Sequence, residues 1–154
     1  WALYITGDVA VQLEDICARR ARGLAGANLL KWPRAYLPTD PQIFVRVNDW
    51  VRGKREVTQM YQRMLRQSTQ SVTLLSSYFL PGASFRGHLL RAARRGVKIR
   101  IIVAGISDVV VAKYAERYMY RWLLKNNIEI YEYQRKVLHG KVAVCDGRWC
   151  TVGS

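Results

Sequence analysis

What is scarce in this chain narrows its class first. No stretch approaches the roughly 20 consecutive apolar residues that a membrane-spanning helix needs, because Lys98 and Arg100 break even the strongest apolar run, Val97 to Val103. The segment therefore does not cross a bilayer as a helix. Cys17, Cys145 and Cys150 are the three cysteines among 154 residues, an odd number and too few for a disulfide framework, so they read as reduced thiols of a cytoplasmic protein. Histidine occurs twice, as His88 and His139. No cluster of His, Cys and carboxylate has the spacing of metal ligands, and no cofactor is expected. Acidic residues are few as well: 11 Asp and Glu against 25 Lys and Arg leave a formal charge of +14. Such a balance favours nucleic acid, an anionic membrane or phosphorylated ligands, without choosing among them.

The remainder is ordinary for a folded domain, with 50% hydrophobic and 23% charged residues over a length able to enclose a core. Val9, Leu13 and Ile16 recur at helical spacing within residues 8–22, and the chain then turns basic and Gly-rich through Gly23 and Gly26. Pro33, Pro38 and Pro41 suit an irregular crossing between two units. A boundary is therefore expected near residue 40, with 1–40 a tail and linker and 41–154 a second domain. Beyond it the patterns alternate: strand at 43–47, helix at 55–67, strand at 71–78, helix at 84–95 stopped by Gly96, strand at 97–104, helix at 108–125, strand at 128–131. Alternation of this kind predicts an α/β sandwich on a largely parallel sheet. Two closing strands, 138–145 and 148–152, are joined by Asp146 and Gly147, a dipeptide suited to a two-residue hairpin turn. The chain begins at Trp1 without a signal-peptide pattern and stops inside its last strand, so it reads as a fragment.

His139 and Lys141 are two apart on a predicted strand, which would send both side chains from one face, roughly 7 Å apart. Neutral imidazole can attack phosphorus, and an ammonium can hold a phosphate oxygen and offset developing charge. A bare His-x-Lys pair is equally explained as a surface pair on an edge strand. The full string says more: His139, Gly140, Lys141, then Asp146 after four residues, then Gly153 and Ser154 after six more. It meets every fixed position of HxKxxxxDxxxxxxGS and resembles the signature of the phospholipase D superfamily. Tyr78-Phe79-Leu80-Pro81, the Arg94-Arg95-Gly96-Val97 turn and Ile130-Tyr131-Glu132-Tyr133 look like bacterial cardiolipin synthases, over about residues 42 to 154.

The resemblance implies a phospholipase D-like α-β-α sandwich with a mostly parallel mixed sheet, one half of a pseudo-two-fold pair whose two motifs meet at one site. Only the second copy is present here, and residues 7–20 look like the tail of the first half. His88, followed by Leu89-Leu90 on a predicted helix, is not the missing partner. By resemblance His139 is the nucleophile that forms a phosphohistidine, or the acid/base that serves the leaving and incoming alcohols. Lys141 would bind phosphate oxygens, supported by Ser154 and the Gly153 backbone. Asp146 is assigned to the catalytic set, with a turn-forming or orienting role as the alternative. The family's Asn after Gly-Ser would lie beyond Ser154.

On substrate, the cardiolipin synthase likeness implies phosphatidyl transfer between two phosphatidylglycerol molecules at the cytoplasmic face of a bacterial inner membrane. The missing half, or a second subunit, would complete the site. Leu29, Leu30, Trp32 and Tyr36 with Lys31 and Arg34 have a composition able to sit at a headgroup interface. So do Tyr114, Tyr118, Tyr120, Arg121 and Trp122, although an aromatic stripe that is simply core explains them equally. Asn48 and Asp49 are expected in a polar turn. Hydrolysis of a phospholipid or of nucleic acid is the alternative activity, and a half-domain that only binds anionic surfaces is the non-enzymatic one.

Overall fold

The computed structural model describes residues 46, 48–49, 54–106 and 110–153. The predicted helix at 8–22, the proline-punctuated linker, the Leu29 to Tyr36 segment and Ser154 lie outside them. The chain divides into two units between Lys54 and Arg55, and the second carries the motif.

Two-residue strands β1 (Asn48–Asp49) and β2 (Lys54–Arg55) pair with each other. There follow α1 (Glu56–Gln67), β3 (Ser71–Ser76), α2 (Ala83–Arg94), β4 (Lys98–Ala104), α3 (Val110–Lys125), β5 (Ile128–Tyr133), β6 (Lys141–Cys145) and β7 (Trp149–Gly153). The last five strands form one sheet in the order β5-β4-β3-β6-β7. Strands β3, β4 and β5 run parallel, whereas β6 and β7 run antiparallel to their neighbours. The α/β mixed sheet is thus as the alternating patterns predict.

Strand alternation decides where the core sits. Val72 and Leu74, Ile99, Ile101 and Val103, Ile128, and Ala143 and Cys145 fall on one face and are buried. Met64, Leu65, Leu89, Ala92 and Leu123 from the three helices complete the same cluster. Each such Leu or Ile contributes about 1.5–3 kcal/mol by leaving water. Residues of the opposite face, such as Arg100, Tyr131, Val144 and Val152, are exposed. Strand β4 is therefore half-buried with alternating exposure, not the buried run that its Val97 to Val103 sequence suggests.

Helix α2 ends where Gly96 was expected to end it. Gly96 takes φ +87°, and the Val97 and Gly96 amides donate to the Ala92 and Ala93 carbonyls, the paired bonds of a left-handed glycine cap. The neighbouring Arg95 guanidinium donates to the carbonyls of Leu65 and Ser68, satisfying groups at the end of α1 and tying the two helices together.

Candidate active site

All three parallel strands point their C-terminal ends to one rim, and β6, being antiparallel, starts there. Crevices beyond such strand ends, where the order of connection reverses, are the usual ligand sites of α/β sheets. The reversal here lies between β3 and β6: the chain leaves β5 at Tyr133 and returns along the rim to begin β6 on the other side of β3. That return segment carries His139.

Lys141 is the first residue of β6 and is exposed. It shares a face with buried Ala143 and Cys145, so it emerges on the helix-covered side just past the end of the core. Its cross-strand partner is Gly153 of β7. Lys141 also falls one step beyond the Leu75–Val142 pair, next to the end of β3. The glycine of the motif thus stands beside the lysine, leaving open backbone there.

His139 lies before β6, not on it. Strand 138–145 was expected to be continuous, but Gly140 takes φ +153°, which interrupts the extended course, and the ladder begins only at Lys141. The strand pleat therefore does not align His139 with Lys141. What positions the segment is a bond from the Gly140 amide to the hydroxyl of buried Ser77, 3.3 Å, just after β3. His139 is exposed.

Asp146 is placed at the far end of β6, five residues and about 17 Å of strand from Lys141. Its carboxylate accepts from the amides of Thr69 (2.8 Å), Gln70 (2.9 Å) and Ser71 (2.8 Å) and from the Thr69 hydroxyl (3.1 Å). These bonds, the Ser71 amide foremost, outweigh partial burial and hold its acidity at about 2. Asp146 and Gly147 both adopt positive φ, +52° and +65°, and the Arg148 amide closes the turn onto the Cys145 carbonyl. With that carboxylate engaged by the loop between α1 and β3, the geometry matches the turn-forming alternative. A shallow hollow lined by Met64, Gln67, Asp146, Arg148 and Trp149 lies at this same end, remote from His139 and Lys141.

His88 lies within α2, where its Nδ1 donates to the Ser84 carbonyl. Cys145 and Cys150 are both free thiols, on opposite faces of the β6–β7 hairpin. Cys145 is pushed up to about 11 by burial and by the neighbouring Asp146 charge. Of the aromatic stripe, Tyr120 and Trp122 pack on the core, whereas Tyr114 and Tyr118 are exposed.

The sequence reading missed a buried polar cluster at the same rim. Lys113 Nζ, on α3, reaches Glu116 (2.8 Å), Glu132 of β5 (3.0 Å), the Tyr120 hydroxyl (3.1 Å) and the Ala104 carbonyl at the end of β4. Glu116, 1% exposed, accepts the Phe79 amide at 2.8 Å, so it also holds the Tyr78-Phe79-Leu80-Pro81 loop after β3. Burial alone would raise Glu132, but bonds from Arg117, Lys113 and Tyr120 bring it down to about 2. The signal was present: Lys113, Glu116 and Tyr120 recur at helical spacing on the face that also carries Leu123.

Residues 61–154 match the family described as cardiolipin synthase, PLD-like domain. Cardiolipin synthase B of Escherichia coli K12 is 34% identical over 160 residues, which cover 96% of this chain and 39% of that protein. Cardiolipin synthase B of Salmonella typhi is 37% identical over 117 residues, 76% of this chain and 28% of that protein. Among solved structures the chain is similar to NUC, a phospholipase D family member from Salmonella typhimurium, with a TM-score of 0.49, 17% identity and coverage of 59% of this chain and 58% of that one. The chain therefore spans about two fifths of the length of the E. coli relative. With more than half of its residues matched, this chain belongs to the PLD-like domain family of the cardiolipin synthases.

Proposed function

We propose that this chain carries one half of a phospholipase D-type phosphatidyltransferase site that makes cardiolipin from phosphatidylglycerol at the cytoplasmic surface of a bacterial inner membrane. The single observation that supports it most is the corner formed by Lys141, its cross-strand partner Gly153 and the Gly140 amide tied to Ser77. There the Lys141 ammonium can hold phosphate oxygens while His139 reaches the phosphorus from an exposed segment.

Two histidines divide the work, His139 taking one role and the counterpart from a second motif the other. In the first step one imidazole nitrogen bonds to phosphorus, the bond from phosphorus to the headgroup glycerol breaks, and the other histidine protonates the departing glycerol. In the second step that histidine takes the proton from a hydroxyl of another phosphatidylglycerol. This oxygen then displaces the first histidine, giving cardiolipin and restoring both side chains. Ser154 is proposed to support the phosphate pocket beside Gly153. Asp146 joins this proposal only as the residue that fixes the hairpin bearing Lys141. The counterpart motif comes from the remainder of a longer chain or from a second subunit.

The test incubates the full-length parent, and its His139→Ala variant, with phosphatidylglycerol vesicles and follows cardiolipin and released glycerol. Product from the parent and none from the variant is expected. Untouched lipid would sink the proposal, and cleavage of a polynucleotide by the same protein would replace it with a hydrolase that the +14 charge also suits.

A further inference from the structure

Helix α3 has two unlike faces. Lys113, Glu116, Tyr120 and Leu123 turn inward; Lys113 and Tyr120 are joined to the ends of β4 and β5 through the Ala104 carbonyl and Glu132, and Glu116 bonds to both of them. The opposite face is exposed over most of the helix: Val111 is 79% exposed, Tyr114 70% and Tyr118 85%. At 100° per residue these three share one sector with Arg121 and Lys125, both exposed, and with Arg117 at its edge, whose guanidinium is engaged by Glu132. The sector is thus at once aromatic and basic, about 21 Å long, with no acidic residue in it.

We infer that this solvent face of α3 is a membrane-docking surface that seats the Lys141 rim against anionic phospholipid headgroups. The inference rests on the phospholipid reading of the site. Tyrosine has an apolar ring and a polar tip that suit the boundary between headgroups and acyl chains. Arginine and lysine beside it meet the negative surface of an anionic leaflet, about fivefold in affinity per basic residue near that surface. Such a mixed face has no use for a neutral solvent, and its charge complements an anionic bilayer.

Glu132 pairs with Val103, Val103 with Ser76, and Ser76 lies beside Lys141, so the residue to which α3 is bound and the motif lysine stand in one row along the rim. Three strand spacings, about 14 Å, separate them. The buried cluster fixes the helix to that row, and the docking face would therefore hold the site at a constant distance from the headgroups.

The test uses the full-length parent and two double variants, Tyr114→Ser with Tyr118→Ser and Arg121→Glu with Lys125→Glu. Partitioning is measured by sedimentation with vesicles of phosphatidylglycerol in phosphatidylcholine and with vesicles of phosphatidylcholine alone. Turnover of phosphatidylglycerol dispersed in detergent micelles is followed alongside. Each variant is expected to lose about tenfold or more in affinity for the anionic vesicles while keeping turnover in micelles, and the charge variant to lose most of the salt dependence of binding. Equal partitioning of parent and variants overturns the docking surface. So does loss of turnover in micelles, which would mean that these residues shape the site. A parent that binds anionic vesicles through this face yet never converts phosphatidylglycerol would refute the transferase reading and leave the docking surface standing.

Discussion

Replacing Asp146 separates a residue that builds the site from one that takes part in chemistry. Its carboxylate accepts four bonds from Thr69, Gln70 and Ser71, and its acidity is held near 2 against an ordinary 3.8. A difference of about 1.8 between folded and unfolded values corresponds to at most about 2.5 kcal/mol. Asp146 is partly open to solvent, and screening reduces this to about 1–2 kcal/mol. Because the folded value is the depressed one, the stabilisation is fully present above about pH 4 and is lost as pH falls from about 4 to about 2. Asp146→Asn keeps one acceptor but turns an N–H group toward donors, and should cost about 1–2 kcal/mol. Asp146→Ala removes every acceptor and must also hold a positive φ, which adds about 1 kcal/mol. Amide hydrogen exchange in the full-length parent reads this locally, with exchange at Gln70, Ser71 and the β6–β7 turn rising about tenfold for each 1.4 kcal/mol lost. The excess stability of parent over Asp146→Asn should vanish below about pH 2. Unchanged exchange in a variant that has lost all turnover would refute the reasoning and return Asp146 to the chemistry.

Glu116→Ala leaves Lys113 buried without its nearest carboxylate and the Phe79 amide without an acceptor, and should cost about 3–5 kcal/mol, seen as a large fall in thermal midpoint; an unchanged midpoint would show that the cluster is not held as described. Gly140→Ala must adopt a φ of +153° that a side chain disfavours, so the His139 segment should shift at a local cost of about 1–3 kcal/mol. Turnover by the parent should fall steeply with little change in global unfolding. Cys150, exposed, should be alkylated in the folded protein at neutral pH, whereas Cys145, buried and held at about 11, should resist; equal labelling would contradict the packing of the hairpin. The isolated 154-residue chain, kept monomeric, should form no cardiolipin, and robust turnover by it would remove the need for a second motif.

Much of this arrangement could be read before folding because it depends on local rules. Gly96 had to cap α2, since the residue after a helix end commonly takes a left-handed conformation. Asp146 and Gly147 had to turn, since both tolerate positive φ. What escaped depends on tertiary neighbours. The start of β6 moved to Lys141 because Gly140 spends its freedom on a bond to Ser77, 63 residues away. The roles of Tyr114 and Tyr120 diverge, although helical spacing alone cannot say which sector of α3 meets the sheet. Lys113 and Glu116 were not singled out, because a strand end offering a bare carbonyl and a carboxylate from β5 are both needed to make their burial tolerable.

The motif's spacing follows hairpin arithmetic. Four residues between Lys141 and Asp146 make β6 one strand long, with the lysine at the rim and the aspartate at the turn. Six residues between Asp146 and Gly153 bring β7 back so that Gly153 faces Lys141, with Arg148 an extra residue between the turn and Trp149. A single residue added or removed would slip the register and send each side chain of β7 to the opposite face. Lys141 would then face Val152 or Ser154 in place of Gly153, and a side chain would fill the open corner beside the ammonium. Asp146 guards that register by tying the turn to three successive amides of the neighbouring loop. An aspartate is therefore required at a fixed distance from Lys141 and Gly153, because it sets where those two residues meet.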